Sequence, residues 1–151
     1  MTVEPIVKTR HVPVPVEKAF ELFTERLDTW WPLHTHSISA DEETGTLPVG
    51  VRFEGRLGGQ VVEIGADGTE YVWAEVVAWD PPHRFELSWH PTMNPIAGSI
   101  LEIRFSPSEQ GTQLYLEHRG WEAFGERALE LRGSYDPGWD QVLVALDAAF
   151  V

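Results

Sequence analysis

The stretch Thr29-Trp30-Trp31-Pro32 is the most informative part of the chain, because it places two adjacent tryptophans just after a short amphipathic segment. Two neighbouring indoles cannot both face one core from a single helical turn. The proline that follows them disfavours any helix continuing through this point. The stretch is therefore interpreted as an aromatic corner where the chain leaves a helix.

Upstream of this corner, the pattern predicts a strand and then a helix. Residues 6–12 resemble a strand that Pro13 and Pro15 close, and residues 16–27 carry apolar side chains at helical spacing. Between residues 28 and 48 the pattern is less regular.

Downstream of the corner, the apolar period changes to two, and turns rich in glycine and proline separate the runs. Six antiparallel strands are predicted, over residues 51–57, 60–64, 71–79, 84–90, 99–106 and 112–119. A final helix is predicted over residues 137–150, with Asp136 as its N-cap. This order favours an α+β fold in which helices cover one side of a curved antiparallel sheet. A pocket between the sheet and the last helix would then be the default functional site.

Composition limits the classes of function. The net charge of −13 makes nucleic acid and anionic membrane surfaces poor partners. The absence of cysteine excludes disulfides, thiolate metal sites and a cysteine nucleophile. No apolar run approaches a membrane span and no signal peptide is recognisable, so we expect one cytoplasmic domain over residues 1–151. Seven tryptophans in 151 residues exceed what a compact core usually needs, and we interpret part of them as the lining of an apolar cavity.

Candidate polar residues are few. His34-Thr35-His36 could bind zinc with His90 or His118, but it lacks the spacing of known zinc motifs, so we predict no metal. For His118, a buried neutral imidazole with satisfied hydrogen bonds is favoured over a polar anchor or an acid–base group.

Three glutamates, Glu54, Glu63 and Glu75, could each place a carboxylate in a pocket, although solvated side chains are the favoured interpretation. No serine stands in the sharp glycine-flanked turn of an α/β-hydrolase, and no glycine-rich loop matches a dinucleotide or phosphate pattern. We therefore predict no catalytic residue and no cofactor.

Several short motifs follow one another along nearly the whole chain. They are Val14-Pro15 through Ala19-Phe20 with Phe23-Thr24, Trp30-Trp31-Pro32, Phe53-Glu54 with Gly58-Gly59, Trp79-Asp80-Pro81-Pro82 into Phe85-Glu86-Leu87 and Trp89, Gly111-Thr112, His118 with Gly120-Trp121, and Gly138-Trp139. In this order they resemble the START/Bet v 1-like (SRPBCC) superfamily, in the branch named for homologues of the heat-shock protein 90 ATPase activator.

This resemblance implies the helix-grip fold, in which a curved antiparallel sheet wraps around a long C-terminal helix and a hydrophobic cavity lies between them. Members differ in function: some bind lipids, hormones or polyketide-like compounds, some catalyse aromatisation or cyclisation, and some bind chaperones. Fold identity therefore does not settle function.

The predicted function is binding of a hydrophobic small molecule in that cavity. The alternatives are a cyclase or aromatase acting on a polyketide-like substrate through His118, His90 or Glu75, and a chaperone-interacting module. A homodimer and a role in the stress response are further expectations.

The predicted ligand contacts are mostly aromatic or aliphatic residues at inward strand or helix positions. Either face of the strand over residues 71–79 could line the cavity. The set is Trp30, Trp31, Phe53, Trp73, Phe85, Leu87, Trp89, Ile103, Leu116, His118, Trp139 and Leu143.

Overall fold

Seven strands form one antiparallel sheet in the computed structural model, which describes residues 3–89 and 98–150. In chain order the strands are β1 Ile6–Val12, β2 Gly50–Phe53, β3 Gln60–Ile64, β4 Glu70–Asp80, β5 Arg84–Trp89, β6 Ser99–Ser108 and β7 Gly111–Arg119. Their order across the sheet is β1-β7-β6-β5-β4-β3-β2, so β1, although first in the chain, pairs with the last strand.

Two α-helices, α1 Val16–Phe23 and α2 Ala128–Ala148, pack against the concave face of this sheet. Short 3-10 helices at Leu27–Thr29 and Trp121–Arg127 follow α1 and precede α2. Phe20 of α1 lies 5.8 Å from Phe85 and 5.3 Å from Phe105, measured between ring centroids. The predicted α+β helix-grip fold is confirmed.

The aromatic corner is confirmed, but the helix before it is shorter than predicted. Helix α1 ends at Phe23 instead of residue 27, and a 3-10 turn carries the chain to Trp30. The indole N–H of Trp30 donates to the Leu22 carbonyl at 2.6 Å, and the indole N–H of Trp31 donates to the His36 carbonyl at 2.8 Å. Both indoles are buried and their ring centroids lie 5.8 Å apart, because the backbone at Trp30 is not helical and lets neighbouring side chains pack into the same core.

Strand β4 contains two irregularities that decide which side chains face inward. Trp73 has no opposite residue in the β3 register and Val77 has none in the β5 register, as expected for one-residue bulges. Each bulge reverses the alternation of side chains. Trp73, Ala74 and Val76 are therefore all buried, and Trp79 packs on the inner side as well. The sequence left open which face of the strand over residues 71–79 lines the interior. In the structure, residues from both faces do so.

The predicted start of the last helix is wrong. Helix α2 begins at Ala128, and Pro137 lies inside it, so Asp136 is not an N-cap. Asp136 accepts a hydrogen bond from Lys8 at 2.5 Å, and Arg132 donates to the Glu4 carbonyl at 2.6 Å. These contacts, with buried Ala128 and Leu131, hold the segment that precedes the proline. Gly133 is exposed, so water can satisfy the carbonyl that Pro137 leaves without a helical donor.

The remaining strand predictions hold with small changes of length. The first strand after the corner ends at Phe53, and Leu57 is exposed in the turn beyond it. His90, the last residue of the strand predicted over 84–90, lies outside the described residues. The alternation predicted for β5, β6 and β7 is confirmed, because Phe85, Leu101 and Leu116 are buried with their inward neighbours.

The convex face of the sheet carries a group of paired charges, here called the convex charge network. Its members are Arg84, Glu86, Glu102, Arg104, Glu117 and Arg119. Glu102 is nearly inaccessible and receives nitrogen atoms of Arg104 at 2.6 Å, Arg119 at 2.7 Å and Arg84 at 3.2 Å. Burial alone would raise the pKa of Glu102, but these three hydrogen-bonded guanidinium groups lower it to about 2.

No helix in the described ranges is both long and apolar enough to cross a bilayer.

Candidate ligand pocket

A pocket of about 360 Å³ lies between the aromatic corner, strands β4 and β5, and the middle of α2. Its walls are aromatic, with Trp31 from the corner, Trp73 and Trp89 from the strands, and Tyr135 and Trp139 from the helix. At the opposite end of the concave face, side chains from α1 fill the space instead. Among the described residues, the space between the sheet and α2 is therefore open beside the tryptophans and filled beside α1.

The four tryptophans form one cluster. Trp31 is central: its ring centroid lies 5.4 Å from that of Trp73, 5.9 Å from Trp139 and 6.3 Å from Trp89. Trp89 lies 5.6 Å from Trp139 and 5.8 Å from Trp73. Tilted and edge-to-face arrangements of this kind are favourable for aromatic pairs, so the four rings stabilise one another in the pocket wall.

The loop at residues 36–39 forms one side of the pocket. Its position is fixed by Glu63, which is fully buried on β3. Its carboxylate accepts the backbone N–H of Ile38 at 2.7 Å and of Ser39 at 2.8 Å, together with the Ser39 hydroxyl. It also accepts the indole N–H of Trp73 at 3.0 Å. One buried side chain therefore positions both the loop at Ile38 and the Trp73 wall.

His118 does not line the pocket but contacts Trp139, which does. It is completely buried; the Trp139 N–H donates to its Nδ1 at 2.9 Å, and its Nε2 lies 2.6 Å from the Ser99 hydroxyl. Because Nδ1 is an acceptor, the proton must sit on Nε2, from which it donates to Ser99. Burial lowers the pKa of His118 to about 3, so the ring is neutral. The imidazole thus orients Trp139 and has no nitrogen left for a substrate.

The rest of the lining combines apolar side chains, such as Ile38 and Val142, with a few polar ones. His36, Ser37, Ser134 and Gln141 contribute polar atoms, and Ser134 and Gln141 are exposed at the mouth. Burial lowers the pKa of His36, although a hydrogen bond with Gln141 opposes that shift. Among the described residues that line the pocket, none is Asp, Glu, Lys or Arg.

The structure brings four of the twelve predicted ligand contacts to the pocket: Trp31, Trp73, Trp89 and Trp139. The other eight lie in the packed interior away from the lining; they are Trp30, Phe53, Phe85, Leu87, Ile103, Leu116, His118 and Leu143. Whether any of the twelve contacts a ligand stays a prediction.

The candidates for acid–base chemistry are dispersed. Glu75 is exposed on β4, Glu54 lies at the surface beside Arg52, and His90 falls outside the described residues. His34 is exposed next to the pocket loop. Within residues 3–89 and 98–150, no three histidine or carboxylate side chains group together as metal ligands would.

Of the α2 residues that line the pocket, only Trp139 was predicted from the sequence. Ser134, Tyr135 and Gln141 belong to α2, but the first two precede Pro137, where a helix start was predicted. A usable signal was present, because Leu131, Tyr135 and Trp139 recur at helical spacing across the proline.

Comparison with known proteins identifies the family. The family described as Activator of Hsp90 ATPase homolog 1-like protein matches residues 13–150. A solved anthrahydroquino-gamma-pyrone synthase is 30% identical to this chain, with a TM-score of 0.61, over 89% of this chain and 88% of that one. A comparison with curated proteins found no significant match.

Two further solved structures show the shared fold at lower sequence identity. Protein MLL2253 from Mesorhizobium loti is 20% identical, with a TM-score of 0.68, over 96% of this chain and 95% of that one. The Aha1 protein from Colwellia psychrerythraea, solved as a dimer, is 14% identical, with a TM-score of 0.67, over 98% and 96%. The motif order, the helix-grip architecture and the match over residues 13–150 agree: the chain belongs to the Activator of Hsp90 ATPase homolog 1-like family of the SRPBCC superfamily.

Proposed function

We propose that this protein binds a hydrophobic small molecule in the pocket between the sheet and α2. The observation that carries the proposal is an opening of about 360 Å³ walled by four tryptophans and free of charged side chains among the described lining residues. Ligand sites in proteins are typically concave, mostly apolar and about 300–1,000 Å³ in volume, with a few polar groups that orient the ligand. This pocket falls at the small end of that range.

The test blocks the pocket without removing any existing contact. Gly138 lies in the lining, and a Cβ added there would meet only His36 Nε2, at 3.9 Å. The substitution Gly138→Leu therefore places a side chain at the pocket wall while improving helix propensity by up to about 1 kcal/mol. Gly133→Leu is the matched control, because Gly133 lies on the same helix and a Cβ there meets nothing within 4 Å.

A panel of apolar aromatic compounds should raise the melting temperature of the wild-type protein and quench its tryptophan fluorescence. A ligand at one hundred times its Kd adds about 2.7 kcal/mol, which corresponds to roughly 5–10 °C for a chain of this length. Gly133→Leu should keep both responses, and Gly138→Leu should lose them. Binding that survives Gly138→Leu, or a panel without any binder, would refute the proposal.

The second candidate is an enzyme acting on a polyketide-like substrate, and the 30% identical anthrahydroquino-gamma-pyrone synthase is the observation that favours it. In this chain His36 and Tyr135 are the titratable side chains on the described lining. The compound recovered after incubation with the protein distinguishes the two functions. An unchanged compound supports binding alone, whereas a converted compound, with conversion lost in His36→Phe, supports the enzyme.

A chaperone-interacting role, a homodimer and a part in the stress response remain predictions. The Aha1 protein from Colwellia psychrerythraea is a dimer. Light scattering on the purified chain tests the homodimer, and a pull-down from cell extract tests association with a chaperone.

A further inference from the structure

Trp89 carries a buried donor for which no described residue provides full hydrogen-bond geometry. Its side chain is 6% exposed, and its Nε1 is the one buried side-chain nitrogen or oxygen without a hydrogen-bond partner in the described part of the chain. The other three indoles of the pocket wall donate to His36, Glu63 and His118. Buried polar groups in native proteins are almost always paired, so this exception requires an explanation.

The position of this donor supplies the explanation. Trp89 lines the pocket beside Tyr135. Burial raises the pKa of the Tyr135 hydroxyl, and a hydrogen-bonding interaction with Trp89 opposes that rise; the hydroxyl is therefore the nearest partner of the indole N–H, although the pair does not reach full hydrogen-bond geometry. Trp89 packs against Trp31, Trp73 and Trp139 and lines the pocket together with Tyr135, so a small movement of the Tyr135 side chain would open the indole N–H to an acceptor atom on the occupant of the pocket.

The electrostatics of the pocket select against a charged occupant. The described lining offers no cationic side chain to pair with an anion and no carboxylate to pair with a cation. The chain as a whole carries a net charge of −13, which further disfavours an anion. Burying an unpaired charge among indoles would carry a large desolvation cost.

Resting on the proposed function, we infer that the ligand is a neutral, flat aromatic compound with a carbonyl oxygen that accepts a hydrogen bond from Trp89 Nε1. The tryptophan walls contact its faces, and the indole N–H fixes its orientation. Trp89 is then a specificity-determining residue that distinguishes carbonyl compounds from hydrocarbons of the same shape.

The test uses three probes that share one tricyclic frame: 9-fluorenone, which has the carbonyl; fluorene, which lacks it; and 9-fluorenone-2-carboxylate, which adds a charge. Titration calorimetry measures the Kd of each for the wild-type protein and for Trp89→Phe. The ratio of fluorenone affinity to fluorene affinity should fall roughly 3- to 10-fold in Trp89→Phe, as expected for loss of one neutral hydrogen bond. The carboxylate should bind at least about tenfold more weakly than fluorenone.

Tyr135→Phe serves as the matched control, because it removes the neighbouring hydroxyl and leaves the indole donor in place. The affinity ratio should be retained in this variant. An affinity ratio that Tyr135→Phe abolishes and Trp89→Phe leaves unchanged would assign the donor to Tyr135 and overturn the inference.

A measurement on the wild-type protein covers the case in which Trp89→Phe fails to fold. The indole N–H resonance of Trp89, assigned from its contacts to neighbouring protons, should move downfield when fluorenone binds and should not do so with fluorene. Equal affinity of the two probes, with no such shift, refutes the acceptor while leaving small-molecule binding intact. If none of the three probes binds but Gly138→Leu still abolishes binding of other compounds, this inference alone fails; a pocket that binds nothing overturns both.

Discussion

Replacing Glu63 by glutamine should destabilise the protein and loosen the loop side of the pocket. The carboxylate accepts four hydrogen bonds, two on each oxygen, from Ile38, Ser39 and Trp73. In Glu63→Gln one oxygen becomes an NH₂ group, which can only donate; at the Oε2 position it opposes the backbone N–H of Ser39, whereas the Ser39 hydroxyl can turn to accept from it. One bond is lost, one reverses its direction, and the remaining two become neutral and weaker.

The magnitude follows from these counts. A hydrogen bond to a charged group contributes about 1.5–3 kcal/mol, and a neutral one about 0.5–1.5 kcal/mol. Because the amide also avoids the desolvation cost of a buried charge, we expect a net loss of about 3 kcal/mol. For a chain of about 150 residues this corresponds to a fall in Tm of roughly 6–12 °C.

The assay is urea unfolding combined with hydrogen exchange at single backbone amides. Glu63→Gln should lower the free energy of unfolding, and the amides of Ile38 and Ser39 should exchange faster than in the wild-type protein. Glu75→Gln is the control: this glutamate is exposed on the adjacent strand, so its replacement should change stability by no more than about 0.5 kcal/mol. Equal stability of the two variants, or unchanged protection at Ile38 and Ser39, would refute the assignment of Glu63 as the anchor of the loop.

The other predictions concern His118, the convex charge network and the turn before β3. Burial lowers the pKa of His118 from 6.5 to about 3, so between these values the unfolded chain binds a proton that the folded protein does not, and stability falls as the pH drops through that window. The slope should approach about 1.4 kcal/mol per pH unit for this group, and unfolding at pH 7 and pH 5 should show a smaller pH dependence in His118→Gln. Glu102→Gln should cost about 3 kcal/mol in thermal unfolding at pH 7, because three arginines lose their shared buried anion; a change below about 0.5 kcal/mol would contradict this. Gly59→Ala should destabilise by more than Gly58→Ala in the same assay, because a Cβ at Gly59 would lie 2.2 Å from the Glu54 carbonyl oxygen, whereas Gly58 needs only its positive φ of 83°.

Pro32 and Pro137 show where the local rule that proline interrupts a helix predicts the structure and where it does not. At Pro32 the expectation that no helix continues through the proline is correct, although α1 already ends at Phe23 and the proline is not what ends it. At Pro137 the same rule is wrong, because contacts of Asp136 with Lys8 and of Arg132 with Glu4 hold the helical segment that precedes the proline. Those partners lie more than 120 positions away in the chain, so no local pattern could identify them.

The pocket, too, was predicted only in part from local sequence patterns. Its tryptophans could be identified as a surplus from composition alone, and Trp31, Trp73, Trp89 and Trp139 do line it. The sequence alone did not indicate that Phe85 would be covered by Phe20 of α1, or that bulges would turn both Trp73 and Val76 inward. Bulges depend on the register between strands, and register is a property of pairs of segments.

From its own residues, the chain determines which segments become strands and helices and that the molecule is acidic, free of cysteine and rich in indole rings. Hydrophobic periodicity and turn-forming residues act over a few neighbouring positions, so both can be recognised in the sequence. Only the tertiary structure decides that four tryptophans meet around an open volume, that three of their N–H groups find partners, and that Trp89 does not. Packing and hydrogen bonding between distant segments are resolved when the whole chain folds, because each partner is positioned by contacts elsewhere in the sheet and helices.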